Sequence, residues 1–277
     1  GASTAGTIVQ TGGSVTLLGG DAACYGLRLG HWGSGTQTST YSLTGGVFDA
    51  TGLSANDGVT MPRNITIGWD GGARMIVGGG TGPATAKVYG INWDGGGAGP
   101  ASGTLHVFEN GTVEVGAGGF GSPGTGGART VLDGGVLKGT ATATWLSPVV
   151  MTGNGVIDTN AGATVTQSGV VSGAGSLTKS GNGTLALSGI NTYTGDTNVD
   201  GGFFELADNA GLKFVIGANG VNNKITGPAG TATLNGDFTI DLGGAALANG
   251  NSWTLVDTTT KVFGATFTVA GWTEASD

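Results

Sequence analysis

The chain has 277 residues, of which 61 are glycine and 40 threonine, and only 10% are charged; an average chain carries about 7% Gly and about 25% charged residues. Glycine at this density excludes a helical bundle, because each interior Gly costs a helix about 1 kcal/mol, and six prolines with no glycine at every third position exclude collagen. The net charge of −8, with ten Lys and Arg in no cluster, argues against nucleic acid or an anionic membrane surface as a partner.

In chain order, short runs alternate apolar with polar or small residues, the period-2 signature of a strand with one buried face. They are Ser14–Leu18, Tyr25–Leu29, Asn64–Ile67, Arg74–Val77, Thr104–Phe108, Gly111–Val115, Ala163–Thr166, Gly183–Leu187, Asp237–Leu242, Ser252–Val256 and Ala265–Val269. Between such runs stand Asn110-Gly111, Asn154-Gly155, Asn182-Gly183, Asn219-Gly220, Asn235-Gly236 and Asn249-Gly250, residue pairs that tolerate the left-handed backbone of a tight corner. Leu206–Ile216 has weak helical spacing, interrupted by Gly211. Antiparallel hairpins in a β-sandwich are the competing arrangement, since Asn-Gly also closes hairpins. The strands are too short and the corners too many for seven to nine sandwich strands.

Phrases return along the chain. Leu43-Thr44-Gly45-Gly46-Val47-Phe48 is echoed by Leu132-Asp133-Gly134-Gly135-Val136-Leu137 and by Val199-Asp200-Gly201-Gly202-Phe203-Phe204, and Trp69-Asp70-Gly71-Gly72 returns as Trp93-Asp94-Gly95-Gly96. A return at roughly 20–25 residues matches one coil of a parallel β-helix, whose coils stack because none buries its apolar face alone. At roughly 22 residues and about 4.8 Å per coil, the chain predicts about 12 coils and a rod of roughly 60 Å.

One segment is specific. Residues 175–206 read Leu177-Thr178-Lys179, Gly181, Gly183-Thr184-Leu185, Leu187-Ser188-Gly189, Asn191-Thr192-Tyr193-Thr194-Gly195, Val199 and Gly201-Gly202 at fixed spacing. This closely resembles the autotransporter-associated β-strand repeat of bacterial surface proteins. The resemblance implies a right-handed parallel β-helix, exported and displayed on a bacterial surface, and it implies no activity. It divides a single β-helix domain, 1–277, into irregular Gly-rich coils (1–170), the repeat (171–206) and C-terminal coils (207–277). Family members end in a membrane β-barrel or a short anchor segment; this sequence shows neither after Asp277 and opens Gly1-Ala2-Ser3 without Met, so it reads as a matured product or a piece of a longer chain. Within the repeat, strand spacing turns Leu177, Leu185, Leu187, Val199, Phe204 and Leu206 inward and Thr178, Thr184 and Thr197 outward, with Tyr193 over a corner.

Chemistry is sparse. His31 and His106 are the two histidines and Cys24 the one cysteine, so no internal disulfide or cysteine metal cluster can form, and no nucleophile elbow appears. The aspartates Asp70, Asp94, Asp133, Asp196 and Asp200 fall mostly at corners, and Asp70 and Asp94 are each expected to cap a turn through their own backbone. Asp237 and Asp241 share a strand but lie about 13 Å apart, too far for a catalytic pair. Asp70 and Asp94 could share a calcium ion only if stacked, and neither known calcium loop pattern is present. Asn64, Asn110 and Asn182 begin N-glycosylation sequons, a weak signal in a chain rich in Asn and Thr. Trp32, Trp69 and Trp93 each follow a strand end. Either they line one edge that stacks sugars or seats a partner, or they form a ladder that closes the corner. With Trp272 near the C-terminus they make the candidate ligand or assembly surface. The expectation is an extracellular structural or adhesive rod with no catalytic site, metal or cofactor. Copies of itself, joined head to tail, are the expected partner, and surface glycans a further one. The alternatives are a carbohydrate-binding surface along the Trp edge and a polysaccharide lyase or glycosidase.

Overall fold

The structure, a computed structural model, describes residues 6–18, 28–29, 38–52, 64–68, 72–93, 102–123 and 126–270. Among these residues every element is a strand, and every ladder between strands is parallel. Antiparallel pairing is confined to the isolated bridges Phe108–Gly134 and Ile216–Asn222. The chain is therefore a parallel β-solenoid and not a sandwich. The weak helical spacing of Leu206–Ile216 resolves into the strand Gly211–Val215, flanked by Phe203–Leu206.

One wall is a seven-stranded sheet running Thr7–Gln10, Thr38–Leu43, Gly72–Val77, Ser102–Phe108, Arg129–Asp133, Val149–Met151, Val171–Gly173. A four-stranded sheet, Ile190–Asn191, Gly211–Val215, Asp237–Asp241, Val269–Ala270, carries it on. The joint between them is made by Thr192 N–H donating to Val171 O (2.9 Å) and Val171 N–H donating to Asn191 Oδ1 (3.0 Å).

The second wall is a 16-stranded sheet that forks and rejoins. The long strand Gly111–Phe120 breaks register between Val115 and Gly119, so that Thr112–Val115 pairs with Val136–Gly139 while Phe120 pairs with Trp145. Two branches then run in parallel, one through Gly155–Thr159, Leu177–Ser180 and Thr197–Val199, the other through Thr164–Gln167, Thr184–Leu187 and Phe203–Leu206. They meet again on Ile225–Leu234, which breaks register between Gly227 and Thr231 and pairs onward with Val256–Phe263. The last two expected strands are thus displaced to Val256–Phe263 and Val269–Ala270, because pairing with the coil below, not local alternation, sets their limits.

Coil length is not uniform. On the first wall Thr38 pairs with Gly72, whereas Thr130 pairs with Val149, Val149 with Val171, and Phe238 with Val269. The early and late coils are therefore much longer than the middle ones, and no single repeat length divides the chain. Much of the extra length in the early coils falls in segments outside the described residues. The echoed phrases are corners: Gly46, Gly134 and Gly202 take φ of 85°, 84° and 60°, a region that disfavours a Cβ.

Inward positions stack in columns. Tyr41, Met75, Leu105, Thr130, Val149 and Val171 share one register position, and Phe48, Ala86, Val113, Leu137 and Ile157 share another. All are buried, each large apolar member stabilising the fold by roughly 1.5–3 kcal/mol. Leu177, Leu185, Leu187, Val199, Phe204 and Leu206 are inward as expected, each 0% exposed. Thr197 corrects the reading. It pairs with inward Leu177 and must face the same way, so it is buried, with its Oγ1 2.5 Å from the Tyr193 hydroxyl. Asn198 faces outward in its place.

Candidate functional site

Of the candidate surface, only Trp93 lies among the described residues. Trp32, Trp69 and Trp272 lie outside them, as do Cys24, His31, Asp70 and Asp94. Trp93 is 0% exposed. Its ring centroid lies 6.3 Å from Phe120, which in turn tilts against Trp145 at 4.8 Å. This is an internal aromatic stack, and Trp93 offers no face to a sugar or a partner. The register explains why. Ile65 pairs with Ile91 and Thr66 with Asn92, so Trp93, the next residue along, continues the line of buried Ile67. The Trp-Asp-Gly-Gly phrase recurs in the sequence at a shorter spacing than the coil that carries Ile65 round to Ile91.

His106 stands on the outward face of the first wall. Its ring stacks on Phe108 with centroids 3.8 Å apart, and Nε2 lies 3.9 Å from Asp133 Oδ2 without a hydrogen bond. Burial lowers its pKa against the pull of Asp133, with Arg74 adding to the depression. A neutral imidazole on a flat strand face, with no hydroxyl or thiol bonded to it, is a packed side chain and not half of a nucleophile–base pair.

The second wall carries a charged row that sequence reading missed. Asp49, Lys87, Glu114, Lys138, Asp158 and Ser180 occupy one outward register position on successive strands. The signs alternate at about 4.8 Å per rung. Lys138 Nζ lies 3.5 Å from Glu114 Oε1, and Ser180 Oγ donates to Asp158 Oδ2 at 2.9 Å. The Asp49 carboxyl is held below its ordinary range, chiefly by the Thr51 hydroxyl and N–H and slightly by Lys87. Asp241 is held low too, by Lys213 Nζ at 2.7 Å and the Gly243 N–H at 3.0 Å. Lowered carboxylates are fixed anions, the opposite of what a proton donor at neutral pH needs. Among the described residues no three His, Cys, Asp or Glu side chains gather as a metal would require.

Asp196 joins two coils instead of closing its own turn: its Oδ1 accepts the Lys224 N–H from the next coil at 2.9 Å. Asp237 and Asp241 are each engaged elsewhere, Asp237 with the Thr268 hydroxyl at 2.6 Å and Asp241 with Lys213.

Inside the repeat, Lys179 is the unexpected residue. It is 0% exposed, and its Nζ donates to Ser180 O, Gly181 O and Gly201 O at 2.5, 2.9 and 3.1 Å. Positive φ at Gly181 and Gly202 (74° and 60°) shapes the two successive corners that hold these carbonyls. Burial, only partly offset by Asp158, brings the ammonium pKa down to about 8. The local signal was the alternation itself: with Leu177 inward, Lys179 had to be inward as well. On the opposite corner Gln167 Nε2 donates to Ser147 O and Gly169 O, and Asn191 Nδ2 to Gly189 O and Gly211 O. These interior groups satisfy backbone oxygens that the corners remove from the ladders.

A family model described as passenger-associated-transport-repeat matches residues 177–206, the stretch that holds Lys179, Asn191 and Tyr193. No curated protein and no solved structure matches the chain.

Proposed function

We propose that the chain is a structural length of a passenger-type β-helix displayed outside a bacterial cell, and that copies associate head to tail. The passenger repeat at 177–206 supports the surface setting. The charged row supports a structural role, because each carboxylate on it has a lysine for a neighbour across the ladder. Trp93, enclosed in the core, lends nothing to a glycan-binding edge.

The observation that carries the assembly reading is the openness of the core at both ends of the described coils. Ile8 and Val15 sit at the inward register positions of Tyr41 and Phe48 but are 59% and 41% exposed. At the other end Phe263 sits at the inward position of Leu234 and is 48% exposed. Beside it opens a cavity of about 900 Å³ lined by Ile216, Ile240, Trp253, Phe263 and Phe267 among others. Among the described residues, each end also presents the free edges of both walls, and unpaired strand edges are templates for further strands. The two ends differ, so contact between them is heterologous and propagates.

Light scattering over a range of concentrations tests this. The mass of the unaltered chain is expected to rise with concentration. Ile8→Asp and Phe263→Asp are each expected to remain monomeric alone, yet to form dimers when mixed, because each keeps the end that the other has lost. A stable monomer at every concentration would overturn the assembly reading.

A further inference from the structure

Six Asn-Gly pairs lie among the described residues, and the structure separates one from the rest. An asparagine followed by glycine can cyclise: the glycine amide nitrogen attacks the asparagine Cγ, ammonia leaves, and water opens the succinimide to aspartate or isoaspartate. The reaction needs no reagent but water. It does need a glycine N–H free of a hydrogen bond and an asparagine side chain free to swing onto it.

Five pairs are restrained. The N–H groups of Gly155, Gly183, Gly220 and Gly236 donate to Ser176 O, Thr159 O, Ser252 O and Leu206 O at 2.9–3.1 Å. Gly111 is buried at the start of its strand, and Asn110 Nδ2 is anchored on Gly80 O at 3.1 Å. The side chains of Asn154 and Asn219 are also fixed, accepting the N–H groups of Ser176 and Ser252 at 3.0 and 2.9 Å.

Asn249-Gly250 has none of these restraints. Both residues are exposed. They fill the two central positions of a turn closed by Asn251 N–H donating to Ala248 O at 3.1 Å. Gly250 has φ of 88° and nothing within 4 Å of where a Cβ would stand. A turn with positive φ at its third residue turns that residue's N–H away from the closing bond. We infer that Asn249 is a site of spontaneous deamidation and the first Asn-Gly pair of the folded chain to convert. The product gains a negative charge, and in its isoaspartyl form a backbone lengthened by one methylene. The change falls within the segment 246–251, which Asn251 Nδ2 ties back onto Ala246 O.

The test is peptide mass mapping of the folded chain held at mildly alkaline pH, beside the same chain in denaturant. In the folded chain the peptide bearing Asn249 is expected to gain about 1 Da and release ammonia. It should do so at least about tenfold faster than the other five, the factor that a local opening cost of about 1.4 kcal/mol imposes on a restrained site. In denaturant that selectivity should vanish. Asn249→Gln should remove the early product without altering the folded spectrum. Equal rates at all six sites in the folded chain, first conversion elsewhere, or a folded Asn249 that stays intact while the denatured one reacts, would each overturn the inference.

Discussion

A lysine is an unusual choice for a solenoid interior, and Lys179 is tolerable there only because three corner carbonyls receive its protons. Removing it leaves those oxygens buried and unpaired, at about 1–3 kcal/mol for each such group. Lys179→Ala, which adds a cavity, is expected to destabilise the chain by about 3 kcal/mol or more. The pH dependence has a definite sign. The folded pKa of about 8 lies below the ordinary 10.5, so between these values the unfolded chain holds the proton that the folded chain has released. Stability conferred by this residue therefore rises with pH in that window, with a slope of up to about 1.4 kcal/mol per pH unit. Denaturant melts of the unaltered chain and Lys179→Met at pH values across the window check this; a difference that stays flat would contradict it. Glycine acts at the same scale: a Cβ on Gly175 would collide with Gly153 O, a backbone atom of the coil below.

At the scale of the element, the alternating row on the second wall makes neighbouring strands electrostatically complementary. Its members are partly buried, with Lys138 and Glu114 side chains 33% and 26% exposed, so screening reduces each pair to about 1 kcal/mol or less. Glu114→Lys would set three lysines on consecutive rungs and is expected to destabilise by about 1–2 kcal/mol at low salt. The loss should shrink as salt is added, since the Debye length falls to about 3 Å at 1 M. Thermal unfolding at two ionic strengths measures it. A salt-independent loss would point instead to packing.

Across the whole molecule, each coil contacts mainly the coils beside it, so stability accumulates from neighbour to neighbour along the axis. Coils at the ends lack one neighbour. Hydrogen exchange is therefore expected to be fastest in Thr7–Gln10 and Val269–Ala270, the outermost strands of the first wall, and slowest in the central Val149–Met151. Under conditions where the chain associates, both terminal strands should gain protection together. Uniform protection along the axis would show that the molecule opens as one unit.

The amino-acid sequence by itself determined the parallel stacking of short strands, the glycine corners and the inward leucines of 177–206. Each is a local property: period-2 alternation assigns a face, glycine permits a left-handed corner, and the repeat specifies both at fixed spacing. Only the tertiary structure decided which residues meet across coils. A coil that carries Thr130 to Val149 at one level and Thr38 to Gly72 at another gives no constant offset from which to read a neighbour. The spacing of the Trp-Asp-Gly-Gly phrase therefore differs from that of the coil carrying Ile65 to Ile91. The row from Asp49 to Asp158 stayed hidden because Lys87, Glu114 and Lys138 follow one another at unequal intervals along the chain. Thr197 is a different case: it stands two residues from inward Val199 on one strand, so alternation alone assigns it the inward face.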